Sequence, residues 1–199
     1  MKDIASLIAR YPLLRECEKE ILQAAEMMVD TYKSGGKILL CGNGGSAADC
    51  EHISGELLKG FLSQRKVRDA RLPSHVQEAL QGSLAAIPLP SLTSALTAVQ
   101  NDLDPSFTYA QLLYGLASKG DLLIAISTSG NAKNVCNAAT VANALGVKVL
   151  ALTGRTGGAL ASLSDVSIRV PLDETYEIQE LHLPVYHFLC AYTEEKLFQ

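Results

Sequence analysis

Apolar residues Leu14, Cys17, Ile21, Leu22, Ala25, Met28, Val29 and Tyr32 recur at helical spacing, and Gly35-Gly36 ends the run. The pattern predicts helix over residues 3–34, broken near Tyr11-Pro12. Short apolar runs then alternate with helical stretches. Strands are predicted at residues 37–41, 85–89, 121–127, 147–152 and 166–170. Helices are predicted at 46–61, 90–99, 106–117, 132–145, 157–163 and 176–197. The central runs LLIAIS and VKVLALT are almost wholly apolar, as expected when helices cover both faces of a parallel sheet. The alternation predicts an α/β, doubly wound (flavodoxin- or Rossmann-like) fold: a five-stranded parallel sheet flanked by helices, with an N-terminal helical arm over 1–35. One domain is expected over 1–199. Only residues 62–82 break the rhythm. They are charged and polar, with one short helical possibility at 74–80 that Ser74 could cap. Such a stretch reads as a surface excursion or, more sharply, as a lid or interface element.

Composition narrows the class without choosing a function. The 199 residues are 48% hydrophobic, enough for one core that buries roughly 70% of the unfolded chain's surface. Net charge is −4 with no run of like charges, which recommends neither nucleic acid nor an anionic membrane as partner. No apolar stretch reaches the ~20 residues a bilayer span needs. Residues 1–10 lack the basic start and long apolar segment of a signal peptide. Five cysteines without a Cys-x-x-Cys pair read as reduced thiols in a cytoplasmic protein.

Two turns carry the candidate chemistry. Gly42-Asn43-Gly44-Gly45-Ser46 and Ser127-Thr128-Ser129-Gly130-Asn131 each follow a strand and open a helix. A helix start leaves backbone N–H groups unpaired and carries partial positive charge, so it attracts phosphate. Small residues let a ligand approach the backbone, and hydroxyls add donors. Helix capping would need one hydroxyl, whereas three in succession suit an anion nest. The first turn also fits G-x-G-x-x-A, but the second predicted strand ends without the acidic residue that a dinucleotide fingerprint wants, and no Walker A lysine is present. A phosphorylated small molecule is the better reading. His52 and Glu56 lie four apart on the helix after the first turn and share one face. Gln179 and His187 lie eight apart on the last helix, where Pro184 should kink the backbone near Glu180. Singly these are ordinary helix residues; together they have the composition of a metal site or an acid–base pair. His182 and His75 read as structural or solvated.

These segments, with Leu152-Thr153-Gly154 and Gln179-Glu180-Leu181-His182, resemble the sugar isomerase (SIS) domain, and within it the bacterial phosphoheptose isomerases. The resemblance implies a cytoplasmic homotetramer with active sites between subunits. It implies conversion of sedoheptulose 7-phosphate to D-glycero-D-manno-heptose 7-phosphate through an enediol, with Glu56 as base and His187 as acid. It further implies substrate contacts at Asn43, Gly44, Ser46, Asn101, Asp102, Ser127, Thr128, Ser129, Asn131 and Gln179, and zinc on His52, Glu56, Gln179 and His187. Two of those ligands are also the acid and base. Either metal binding alternates with proton transfer, or the metal acts as a Lewis acid on the sugar oxygens. The chain departs from the family at Ala132 (usually Ser), Gly60 (usually Arg) and Tyr176 (usually Asp), and its 62–82 segment is longer. A non-catalytic tetrameric relative that binds the replication initiator DnaA, and a sugar-phosphate-binding module, are the alternatives. The DnaA-binding relative has Ser where this chain keeps Glu56.

Overall fold

The apolar runs form one all-parallel sheet in the computed structural model, which describes residues 3–198. Met1, Lys2 and Gln199, the ends of the expected domain, lie outside the described residues. Strands β1 (Ile38–Cys41), β2 (Ala86–Pro88), β3 (Leu122–Ile126), β4 (Lys148–Thr153) and β5 (Val166–Arg169) lie in the order β2-β1-β3-β4-β5. Leu40 stands opposite Ile124 and Ile124 opposite Leu150, so apolar side chains stack across strands on each face. Lys37 and Asp121, expected as first strand residues, instead sit just before β1 and β3. The Asp121 carboxylate accepts from the Lys37 backbone N–H at 2.9 Å, its ammonium at 2.6 Å and the Ser118 N–H at 2.7 Å, which aligns the two strand starts.

One sheet face packs Ile38, Leu40, Ile124 and Leu152 against helices α1 (Ile4–Arg10), α2 (Glu18–Lys33), α3 (Gly45–Leu58) and α9 (Thr175–Phe198). The other packs Leu39, Leu123, Ala125 and Val149 against α6 (Thr108–Leu116), α7 (Lys133–Ala144) and α8 (Gly158–Ser162). The expected N-terminal arm is therefore part of the core layer. Leu7 of α1, Leu14 of the 3-10 turn at residues 12–17, and Ile21 and Met28, seven apart on one stripe of α2, are fully buried. Pro184 lies inside α9 without ending it.

The segment between α3 and β2 holds the short α4 (Ser74–Ala79), where Pro73 occupies the cap position and no side-chain cap bond forms, so the expected Ser74 cap is not made. Its ends are tied together: the Gly82 N–H donates to the Arg65 carbonyl at 2.6 Å and the Gly60 N–H to the Gln81 side chain at 2.7 Å. Arg65 is 1% exposed. Its guanidinium donates to the Glu194 carboxylate at 2.8 Å and to the Leu57 and Glu56 carbonyls at 2.6 and 3.0 Å, closing the end of α3. α5 (Thr93–Asp102) starts later than expected because residues 89–91 form a 3-10 turn.

Candidate active site

The strand order reverses between β1 and β3. α3 leaves β1 toward one face and α7 leaves β3 toward the other, which opens a crevice at the carboxyl ends of these neighbours. A cavity of about 360 Å³ occupies it. Asn43, Gly44, Ser46, Ser127, Thr128, Ser129 and Gln179 line it, all anticipated, together with Thr175 and Ala132. Gly44 adopts φ +57°, which turns the chain into α3. A Cβ on Gly45 would come within 2.6 Å of the Gln179 amide nitrogen, so the bare backbone here gives the Gln179 side chain its place against the start of α3. Tyr109 holds the turn by donating to the Gly42 carbonyl at 2.5 Å, and Asn43 exchanges two hydrogen bonds with Asn134, each 2.9 Å.

Three expected contacts are elsewhere. Asn131 is turned to α8, where its side-chain oxygen accepts from the Ala159 N–H at 3.0 Å, and it is not among the cavity's lining residues. Asn101 and Asp102 sit exposed at the end of α5, bonded to each other at 2.8 Å and outside the lining of this cavity.

Farther along α3, three anticipated side chains converge. His52 Nε2 lies 3.2 Å from Glu56 Oε1 and 3.3 Å from His187 Nε2, and the donor atoms of all three lie within 4.8 Å of one another. Gln179 stands two turns upstream of His187 on α9, at the cavity wall. Glu56 Oε2 is buried without a hydrogen bond, the Lys59 ammonium standing off at 3.6 Å. Burial, and then the neighbouring His52, lowers the His187 pKa, against the pull of Glu56. Phe61 stacks obliquely on His187, its ring centroid 5.5 Å away.

The supporting residues carry little sequence signal. Tyr186 approaches both Asp49 and His52, while Glu194 accepts from the Phe61 and Leu62 N–H groups at 2.7 and 2.8 Å. That Asp49 stands three residues before His52 was the one available hint. Burial raises the Asp49 pKa despite the Tyr186 hydrogen bond and the charge of His52. His182, expected to be structural, is buried with Nε2 3.3 Å from the Thr153 carbonyl.

An SIS domain family model matches residues 3–154. The phosphoheptose isomerase of Aliarcobacter butzleri is 40% identical over 185 residues, covering 93% of this chain and 89% of that protein. Among solved structures, the phosphoheptose isomerase of Neisseria gonorrhoeae superposes with a TM-score of 0.78 at 36% identity, covering 96% of each chain. That of Francisella tularensis gives 0.80 at 34% identity, covering 96% of this chain and 93% of its own.

Proposed function

The chain belongs to the SIS-domain family, in its phosphoheptose isomerase branch, and on that premise we propose that it interconverts sedoheptulose 7-phosphate and D-glycero-D-manno-heptose 7-phosphate. It is a phosphosugar isomerase. One observation carries it. The same helix, α3, opens at a cavity suited to phosphate and brings His52 and Glu56 beside His187 farther along. The six residues from Ser46 to His52 advance about 9 Å along the axis, a reach suited to an extended seven-carbon sugar.

In this reading Ser46, Ser127, Thr128 and Ser129, with the first backbone N–H groups of α3, hold the phosphate. Glu56 takes the proton from C1 of the ketose. The freed pair forms the C1–C2 double bond, and His187 gives a proton to the C2 oxygen. Glu56 returns the carbon proton to C2, and the C1 hydroxyl gives its proton to the deprotonated His187, which completes the aldose and restores both groups. Glu56 Oε1 lies beside His52 in the cluster, which supports its role as base. The same cluster fits a metal. Three acceptor-bearing groups face one another, an arrangement that needs a cation or a shared proton between them. His52, Glu56 and His187 would hold zinc, whereas the Gln179 amide, the fourth expected ligand, lies against Gly45 at the cavity wall. When bound, zinc would supply Lewis-acid polarisation of the sugar oxygens.

We also propose a homotetramer with sites between subunits. Asn101 and Asp102 lie exposed outside the chain's own cavity, near the exposed Leu103 and Phe107, which supports their serving a neighbouring copy's site. Four of the five cysteines are buried thiols, as suits a reducing cytoplasm. The test is an assay of purified protein with sedoheptulose 7-phosphate, with and without added zinc. Formation of the aldose heptose phosphate is expected. Absence of turnover under both conditions, with capture of DnaA or with sugar-phosphate binding alone, would replace this reading by one of the non-catalytic ones.

A further inference from the structure

The Tyr186 hydroxyl sits between two groups of α3, 3.1 Å from Asp49 Oδ1 and 2.9 Å from His52 Nδ1. A tyrosine has one proton to give, and a carboxylate only accepts. The hydroxyl therefore donates to Asp49 and accepts from His52, which puts the imidazole proton on Nδ1. In the neutral ring this leaves the lone pair on Nε2, the atom that faces Glu56 and His187. The Tyr186 and His52 rings meet edge to face, centroids 5.4 Å apart at 74°, so the tyrosine also limits rotation of the imidazole. Tyr186 itself is 2% exposed.

We propose that Tyr186, braced by Asp49, is a positioning residue: it fixes the tautomer and orientation of His52 so that Nε2 is presented to a cation shared with Glu56 and His187. The last clause rests on the zinc reading above; the tautomer does not. Outer hydrogen bonds of this kind are typically worth 10–100-fold in metal affinity. The sequence hides the arrangement, because Tyr186 and His187 are adjacent and Tyr186 reads as an ordinary core aromatic.

Tyr186→Phe keeps the ring and removes the hydroxyl; Asp49→Ala leaves the hydroxyl free to donate to Nδ1 instead. Both are made in the full chain, and zinc affinity is measured by competition with a chromophoric chelator. The His52 ring nitrogen shifts are read by NMR on the metal-free protein. The wild type is expected to show the Nδ1–H tautomer. Each variant is expected to lose about 10–100-fold in zinc affinity, with the unfolding midpoint of the metal-free Tyr186→Phe protein little changed. Because the two residues act in series, the double variant should lose little more than the worse single one. An Nε2–H tautomer in the wild type, or Tyr186→Phe and Asp49→Ala affinities within twofold of wild type, overturns the proposal. A wild type that binds no zinc defeats the metal reading alone, and the tautomer then decides this one.

Discussion

Glu56 has one oxygen beside His52 and the other buried without a hydrogen bond, an arrangement that serves reaction better than stability. Glu56→Gln is expected to cost about 10²–10⁴-fold in kcat, the usual contribution of a general base. Its thermal midpoint should stay level or rise, as calorimetry would show. His182 gives a separate prediction. Burial pushes its imidazole down to about 4, from 6.5 in the unfolded chain. Between those values the unfolded chain binds a proton that the folded one does not, so stability falls as pH drops through this window. Its contribution is roughly 3 kcal/mol from the 1.36 kcal/mol carried by each unit. Denaturant titrations of wild type and His182→Gln at pH 7 and pH 4.5 should show a smaller acid loss in the variant. At this scale the sequence was legible where spacing encodes proximity. His52 and Glu56 are one turn apart, and Ser127 to Ser129 form one turn. Tyr186 was not legible, because its partners Asp49 and His52 are more than 130 residues away and nothing local distinguishes it.

Among the elements, the pair Arg65–Glu194 joins three of them. It closes the end of α3, fastens the 62–82 segment and grips the last turns of α9. Burial alone would raise the Glu194 pKa, but the Phe61 and Leu62 N–H groups and Arg65 outweigh it and hold the carboxyl below its ordinary value. Removing one partner of such a pair strands the other, so Arg65→Met should lose about 3–5 kcal/mol in urea unfolding. The variant should also weaken turnover, since the guanidinium bonds the Glu56 carbonyl, and Phe61, whose N–H donates to Glu194, lies on His187. Helix and strand order was readable because periodicity reports which face is apolar. It does not report what covers that face. The helices before β1 therefore read as an arm, and Arg65 read as one charge in a solvated stretch.

Across the whole molecule, the sheet order puts the turns after β1 and β3 side by side, although more than 80 residues separate them. Asn101 and Asp102 lie outside that crevice, so the subunit arrangement proposed above has a direct check. An Asp102→Ala chain and a Glu56→Gln chain, each inactive alone, should regain activity when unfolded and refolded together. Absence of recovery in mixed oligomers would confine each site to one chain. Alternating strands and helices could suggest the sheet, but a surface shared with another copy leaves no periodic trace in one sequence.

His187 and Glu194 are seven residues apart on α9, two turns along one stripe, with the first at the site and the second at the Arg65 anchor. The helix therefore works as a ruler with a fixed phase. One residue inserted between them would swing everything upstream by about 100° relative to the anchor, at little cost to the helix itself. Length variation among functional descendants of this chain should accordingly collect in the tied segment after α3 and be absent from residues 187–194.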